Sequence, residues 1–442
     1  MAFIPAYILI LFFTIVIDYY AGIMISGSEG KRRKMFLLLS IAANVLVLAV
    51  FKYYNFFIEN VNVLLDTLEL KRYDLPYLNI ILPIGLSFHT FQAMSYTIEV
   101  YRKKFPPERH FGYYALYVMF YPQLVAGPIE RPQNVLPQLH TYHQYDHSRM
   151  LSGLRLMLWG LFKKVVIADR IGMMADSVYN NLDQHTGFAY VVATVCFGIQ
   201  IYCDFSGYSD IAIGSARTMG IDLMVNFKRP YFASTISEFW RRWHISLSTW
   251  FRDYVYIALG GNRVSNIKRN FNLFFVFLIS GFWHGASWNF VIWGALHGFF
   301  LITGNFFQSR FPFLKQRNFV NILLTFLLAN FAWIFFRATA FDDAMQVVRG
   351  LFSVHVNGNY FSLVNDDFKG NITYMGLPLW KFALTLLLIP MLFIADWFIE
   401  KGYVISFDRQ PVVLRWSVYY ILIIAILLLG VFETNQFIYF QF

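Results

Sequence analysis

Ten long apolar runs constrain this chain more than any other feature: Ala2–Ile17, Met35–Phe57, Tyr77–Val100, Phe111–Ala126, Leu151–Ile167, Phe188–Ile213, Phe271–Ile302, Phe319–Phe336, Leu377–Phe398 and Leu414–Phe432. A helix needs about 20 apolar residues to cross a bilayer core. Lipid offers no partner to an unpaired backbone group, so such spans must be helical. The expectation is an all-α polytopic membrane protein with about ten transmembrane helices. The run Phe271–Ile302 is long for one span and leaves room for a break. Composition agrees: 57% of the 442 residues are hydrophobic and 14% charged, where a soluble domain carries about 25% charged residues. That excludes a disordered chain, a coiled coil and an ordinary cytosolic enzyme.

Charge sets the expected topology. The first run lacks the basic start of a signal peptide, and its charge cluster, Lys31-Arg32-Arg33-Lys34, follows it. We read a retained first span with the N-terminus outside and the basic loop in the cytoplasm. Glu59–Asp74 has no excess of positive charge and reads as external, whereas Arg102-Lys103-Lys104, with Arg109 beyond, reads as cytoplasmic. Gly127–Asp146 and Gly220–Asn270 are too long and polar for simple turns, yet dense in aromatic residues, Pro and Arg. Such segments lie at an interface or re-enter the membrane inside protein. No repeat of fixed period is visible, and residues 1–442 read as a single membrane domain. Cys196 and Cys203 lack zinc or disulfide spacing, and no metal site is expected.

Polar groups within apolar runs are costly and therefore informative. In Gly281-Phe-Trp-His284-Gly-Ala-Ser-Trp288 a histidine sits among small residues and tryptophans. Imidazole can take a proton from a hydroxyl near neutral pH; the alternative is a core histidine bonded to a neighbouring helix. His297, thirteen residues on, would lie roughly 20 Å away on another face of a continuous helix, so the two do not form a metal pair. Thr235-x-x-Glu238 is a capping box. Beyond it Trp240, Trp243, Leu247 and Trp250 share one helical side and Arg241, His244 and Ser248 another. This reads as an interfacial helix with a basic, histidine-bearing face, or as a belt at the lipid headgroups. Tyr202, Asp204, Ser206, Tyr208, Ser209 and Asp210 interrupt an apolar helix, either as a proton or ion path or as hydrogen bonding between helices.

The stretch Glu238-Phe-Trp-Arg-Arg-Trp-His244, running on to Leu259-Gly-Gly-Asn-Arg263, resembles the signature of membrane-bound O-acyltransferases. It is most similar to the branch of the alginate O-acetyltransferase membrane subunit. Trp283–Trp288, Trp293-Gly294, His297-Gly298, Leu82–Gln92, Phe120–Arg131 and Asp204–Asp210 match that branch too, so the motifs fall within residues 82–298. Ala258 stands where that branch has proline, and the polar insert His355–Thr373 matches no motif. The resemblance implies helices, some interfacial or re-entrant, around a central tunnel, with the family's invariant histidine, here His284, at its narrow point. His244 carries over as the second family histidine.

The implied reaction moves an acetyl group from cytosolic acetyl-CoA outward across the bacterial inner membrane. An extracytoplasmic partner of the SGNH-hydrolase type then serves O-acetylation of an exopolysaccharide. No bound cofactor is implied. Acyl substitution needs a base or nucleophile and donors for the oxyanion. His284 is the candidate base or transient acyl carrier, and His244 or backbone near Gly285 the oxyanion donor. Lys228, Arg229, Arg241 and Arg242 could meet the phosphates of coenzyme A or lipid headgroups. Trp283, Trp288 and Asp204 are further candidates for substrate contact. D-alanyl transfer from a carrier protein to teichoic acid, or polysaccharide or lipid transport, are the competing readings.

Overall fold

A computed structural model describes residues 7–70, 75–79, 83, 85–124, 127–185, 187–352, 363–366, 372–402 and 409–432. Leu82, Ile84, Val125 and Ala126 of the motifs above, and most of the insert His355–Thr373, lie outside them. Seven helices among the described residues are long and apolar enough to span a bilayer: Tyr7–Ser26, Gly30–Thr67, Phe188–Thr218, Trp288–Arg310, Phe319–Arg337, Leu379–Glu400 and Val412–Leu429. The protein is a helical, multi-pass membrane protein.

Three of the ten apolar runs overlap none of these seven helices among the described residues. Of the described residues of Tyr77–Val100, the helical ones begin at Leu86, after a left-handed Gly85 (φ 78°). Phe111–Ala126 is split into two short helices around Phe120. Leu151–Ile167 carries Arg155, Lys163 and Lys164, and its helix loosens into a π-helical turn over Phe162–Ala168.

The chain divides into two compact units. One comprises Met1–Leu154, Ala212–Met224 and Gly285–Ser287. In it α1 (Tyr7–Ser26) and α2 (Gly30–Leu48) form a hairpin, and α2 runs through a π-helical turn into α3 (Tyr54–Thr67). Then follow α4 (Leu86–Tyr101), α5 (Phe111–Val118), α6 (Tyr121–Leu124) and α7 (Pro132–Leu139). Asp18 of α1 is fully buried, a position a carboxylate tolerates only with donors around it. Ser40 Oγ (2.6 Å) and Asn44 Nδ2 (2.8 Å) of α2 supply them. Arg33 Nη2 donates to the carbonyls of Val100 (2.9 Å) and Tyr101 (2.8 Å). That contact brings the two basic loops, Lys31–Lys34 and Arg102–Lys104, to one end of the unit, as their shared charge predicts.

The second unit comprises Arg155–Ile211, Val225–His284 and Trp288–Phe442. Its elements begin in α8 (His147–Leu161) and continue through α9 (Asp169–Tyr179), α10 (Phe188–Thr218), α11 (Ile236–Arg242), α12 (Ile245–Phe251), α13 (Asn266–His284), α14 (Trp288–Arg310), α15 (Phe319–Arg337) and α16 (Phe341–Phe352). A small antiparallel hairpin, β1 (Val364–Asp366) with β2 (Ile372–Tyr374), precedes α17 (Leu379–Glu400) and α18 (Val412–Leu429). It is the one departure from an all-helical fold among the described residues.

Aromatic side chains fill this unit's core: Phe197, Trp243, Trp293, Trp333 and Phe336 are fully buried. The apolar run Phe271–Ile302 breaks after His284, and α13 and α14 fold back as a tight antiparallel pair. Glycine permits the closeness. A Cβ on Gly281 would overlap the Phe290 carbonyl, and one on Gly294 would overlap that of Phe277. The two glycine Cα atoms thus face each other at the crossing, where side chains would wedge the helices apart.

Candidate active site

The fold-back of α14 on α13 decides the surroundings of the key histidine. His284 is the last residue of α13 and is 4% exposed. Its imidazole stands edge-on to Trp293 (ring centroids 4.9 Å apart, 84°), Trp283 (5.0 Å) and Phe336 (5.4 Å). Helix C-termini favour cations, and His284 occupies that end of α13.

His297 corrects the sequence reading. The expectation of a continuous helix puts it roughly 20 Å from His284. Because the helix breaks, its ring also meets Trp293 edge-on, 4.9 Å between centroids. Trp240 Nε1 donates to His297 Nδ1 (3.3 Å), and Phe239 lies parallel to the ring at 6.2 Å. The signal available in the sequence was the pair Gly281 and Gly294, which marks a close helix crossing.

The capping motif is present with a shifted return bond: Thr235 Oγ1 accepts from Glu238 N (3.1 Å), while Glu238 Oε2 reaches past Thr235 to accept from Ser234 N (2.8 Å) and Oγ (2.9 Å). The single amphipathic helix expected across Trp240–Trp250 is not. Trp243 is extended and His244 left-handed (φ 42°), so the segment forms two short helices, α11 and α12, with His244 at the joint. His244 is therefore not on a basic outer face but wholly buried.

Asn226, which no motif or periodicity marks, holds it there. Its Oδ1 accepts from His244 Nδ1 (3.1 Å), Ser246 N (3.1 Å) and Ser246 Oγ (2.9 Å), and its carbonyl accepts from Ile245 N (2.9 Å). A carboxamide oxygen only accepts, which assigns the neutral ring's proton to Nδ1 and makes Nε2 the basic nitrogen. Burial pushes the imidazole down to about 3, so it is neutral near pH 7. This tautomer favours a hydrogen-bond acceptor over an oxyanion donor at Nε2. Packing links the two family histidines: Trp243 meets Trp333 (5.1 Å), which meets Phe336 (5.1 Å), which meets His284.

A cavity of about 480 Å³ lies among α11, α12 and α13, lined by Trp240, Arg241, Arg252, Tyr256, Val276 and Ser280 among others. Its wall reaches Ser280, four residues and hence about 6 Å of helix before His284. Of the four basic candidates only Arg241 lines it. Arg242 bonds Glu238 (2.7 Å) and Glu400 (3.1 Å), and Arg229 bonds Glu400 (2.6 Å), which Arg317 also meets at 2.6 Å. These pairs tie α11 and the loop before it to α17. The backbone of Lys228 donates to the Arg242 carbonyl (2.9 Å). Trp283 is buried and Trp288 is 57% exposed.

Asp204 is ion-paired to Lys164 (2.7 Å), which also holds Asp169 (2.7 Å). Lys163 holds Asp210 (2.7 Å) and Ser206 (2.9 Å), and Tyr202 donates to Asp396 (2.7 Å). Of the two readings of this polar stretch, bonding between helices is the one the side chains make. Lys163 and Lys164, the partners, face it from the π-helical turn.

The profile of MBOAT, the membrane-bound O-acyltransferase family, matches residues 45–341. The chain belongs to that family. It is 39% identical over 342 residues to the probable alginate O-acetylase AlgI of Pseudomonas aeruginosa, covering 76% of this chain and 64% of that protein. The chain thus spans a little under two thirds of that relative. It is 35% identical over 427 residues to the peptidoglycan O-acetyltransferase of Helicobacter pylori, covering 87% of this chain and 79% of the relative. With the teichoic acid D-alanyltransferase of Streptococcus thermophilus it shares 29% identity over 239 residues, half of this chain and 56% of the other.

Proposed function

We propose that this protein is an O-acyltransferase of the bacterial inner membrane that moves an acetyl group from cytosolic acetyl-CoA towards an extracytoplasmic polysaccharide. The observation that carries this reading is His284, buried at the end of α13 one helical turn from the wall of an apolar cavity. The cavity suits a thin acyl-bearing chain, with Arg241 placed for anionic groups of the donor. His284 either strips the acceptor hydroxyl of its proton or holds the acetyl group transiently. The aromatic rings around it exclude water, which protects the acyl group from hydrolysis. An SGNH-type partner would receive the acetyl group and deliver it to an exopolysaccharide.

Relatives named for O-acetylation of alginate and of peptidoglycan align over more of the chain than the D-alanyl relative does, which favours acetyl as the group moved. Family membership favours a transferase over a transporter. The test is purified protein in proteoliposomes with labelled acetyl-CoA and, separately, a D-alanyl-charged carrier. Label leaving acetyl-CoA only when His284 is intact supports the reading; a folded His284→Ala variant that transfers acetyl normally overturns it.

A further inference from the structure

The first unit holds a second cavity, of about 560 Å³, formed by the α1–α2 turn and the segment after α4. Arg33, Lys103 and Lys104 line it against one carboxylate, Glu29, leaving two positive charges over. Ser26 and Ser28 add hydroxyl donors. Arg33 is fixed by its bonds to Val100 and Tyr101. Lys103 and Lys104 are exposed and have no ion-pair partner among the described residues. Lys103 also occupies the left-handed position (φ 58°) that ends α4, with Lys103 N bonded to the Val100 carbonyl and Lys104 N to that of Glu99. Helices usually end there with glycine. A lysine at that place, rather than the residue the backbone prefers, spends conformational ease on a charge facing the cavity.

We propose that this cleft binds a phosphate group, with Lys103 and Lys104 as its cationic ligands and Arg33 as the fixed wall. Both loops carry the excess positive charge of cytoplasmic segments. The phosphate therefore comes from an anionic phospholipid headgroup of the inner leaflet or from a soluble phosphate ester.

The informative variant is Lys103→Gly with Lys104→Gln. Glycine relieves the left-handed backbone, so the variant keeps or gains thermal stability, and lost binding cannot be put down to misfolding. A control, Lys268→Gln with Lys315→Gln, removes two exposed charges elsewhere. Full-length protein in detergent is examined by native mass spectrometry with phosphatidylglycerol or phosphatidylcholine, and by thermal shift with inorganic pyrophosphate. The expected result is at least a five-fold drop in retained phosphatidylglycerol, or loss of the pyrophosphate shift, in the cleft variant and not in the control. The probe affected names the source. Equal losses in both variants, or no loss in either, overturn the proposal.

Discussion

His244 is held by Asn226: a single carboxamide oxygen accepts a hydrogen bond from the imidazole Nδ1–H at 3.1 Å while also accepting from the N–H and O–H of Ser246. Asn226→Ala removes the acceptor of three buried donors and should cost about 2 kcal/mol or more of stability. Asn226→Asp keeps the acceptor but places a charge beside a ring that burial holds neutral down to about 3. A neighbouring carboxylate raises an imidazole pKa. If neutral His244 is needed for transfer, the acid-side fall in rate moves to higher pH in the Asp variant. A pH profile of acetyl transfer, beside thermal unfolding, separates this positioning role from a purely structural one.

Gly281 and Gly294 face each other where α13 meets α14. Either one changed to Ala would overlap a backbone carbonyl, which cannot swing aside as a side chain can. Overpacking of this kind costs about 1–3 kcal/mol, and it displaces both His284 and His297 from Trp293. Gly304→Ala is the contrast, since its nearest neighbour would be the Gln308 amide at 3.7 Å. It should be neutral or stabilising by about 0.5–1 kcal/mol. Thermal unfolding in detergent gives the order directly.

Two histidines share one indole, yet the proposed reaction needs only one of them. His284→Ala should leave a folded protein with transfer reduced at least about 100-fold. His297→Ala removes the acceptor for Trp240 Nε1 and opens a void in a fully buried aromatic cluster. Its effect should fall on stability, about 2–4 kcal/mol, with rates per folded molecule changed less than in the first variant. Measuring both rate and unfolding midpoint for each variant shows whether the roles divide in this way.

How far the sequence could be read follows from the range of each interaction. The apolar runs and the capping box at Thr235 are local, and both reappear as structure. Seven of the ten apolar runs overlap a helix that is long and apolar enough to span among the described residues; in the others, the break at Phe120 and the lysines at 163–164 act within runs whose mean composition looks uniform. The joint at Trp243–His244 was hidden: no Gly or Pro marks it, and helical periodicity continues across it on paper. Its cause lies elsewhere in the chain, in Asn226, whose bonds to His244, Ile245 and Ser246 favour a break over a continuous helix. Likewise Arg229 and Arg242 look like free anion ligands until Glu400, over 150 residues away in the chain, claims both.

Glu238 offers a last test, outside the spanning helices. Burial by itself raises its carboxyl, but the two bonds from Ser234 and the ion pair with Arg242 outweigh that and hold it below its usual range. A carboxylate depressed in the folded state contributes stability above its unfolded pKa, about 4.3. That contribution is lost as pH falls through the lower folded value. The wild-type protein should therefore lose part of its thermal stability on acidification below about pH 4. Glu238→Gln should be less stable near pH 7 and show a shallower acid decline, because the titrating group is gone. Thr235→Ala breaks the other half of the cap and should cost about 1 kcal/mol at every pH. Unfolding midpoints of the three proteins between pH 3 and pH 8 give the comparison; a Gln variant whose acid decline matches the wild type would show that Glu238 does not hold the start of α11.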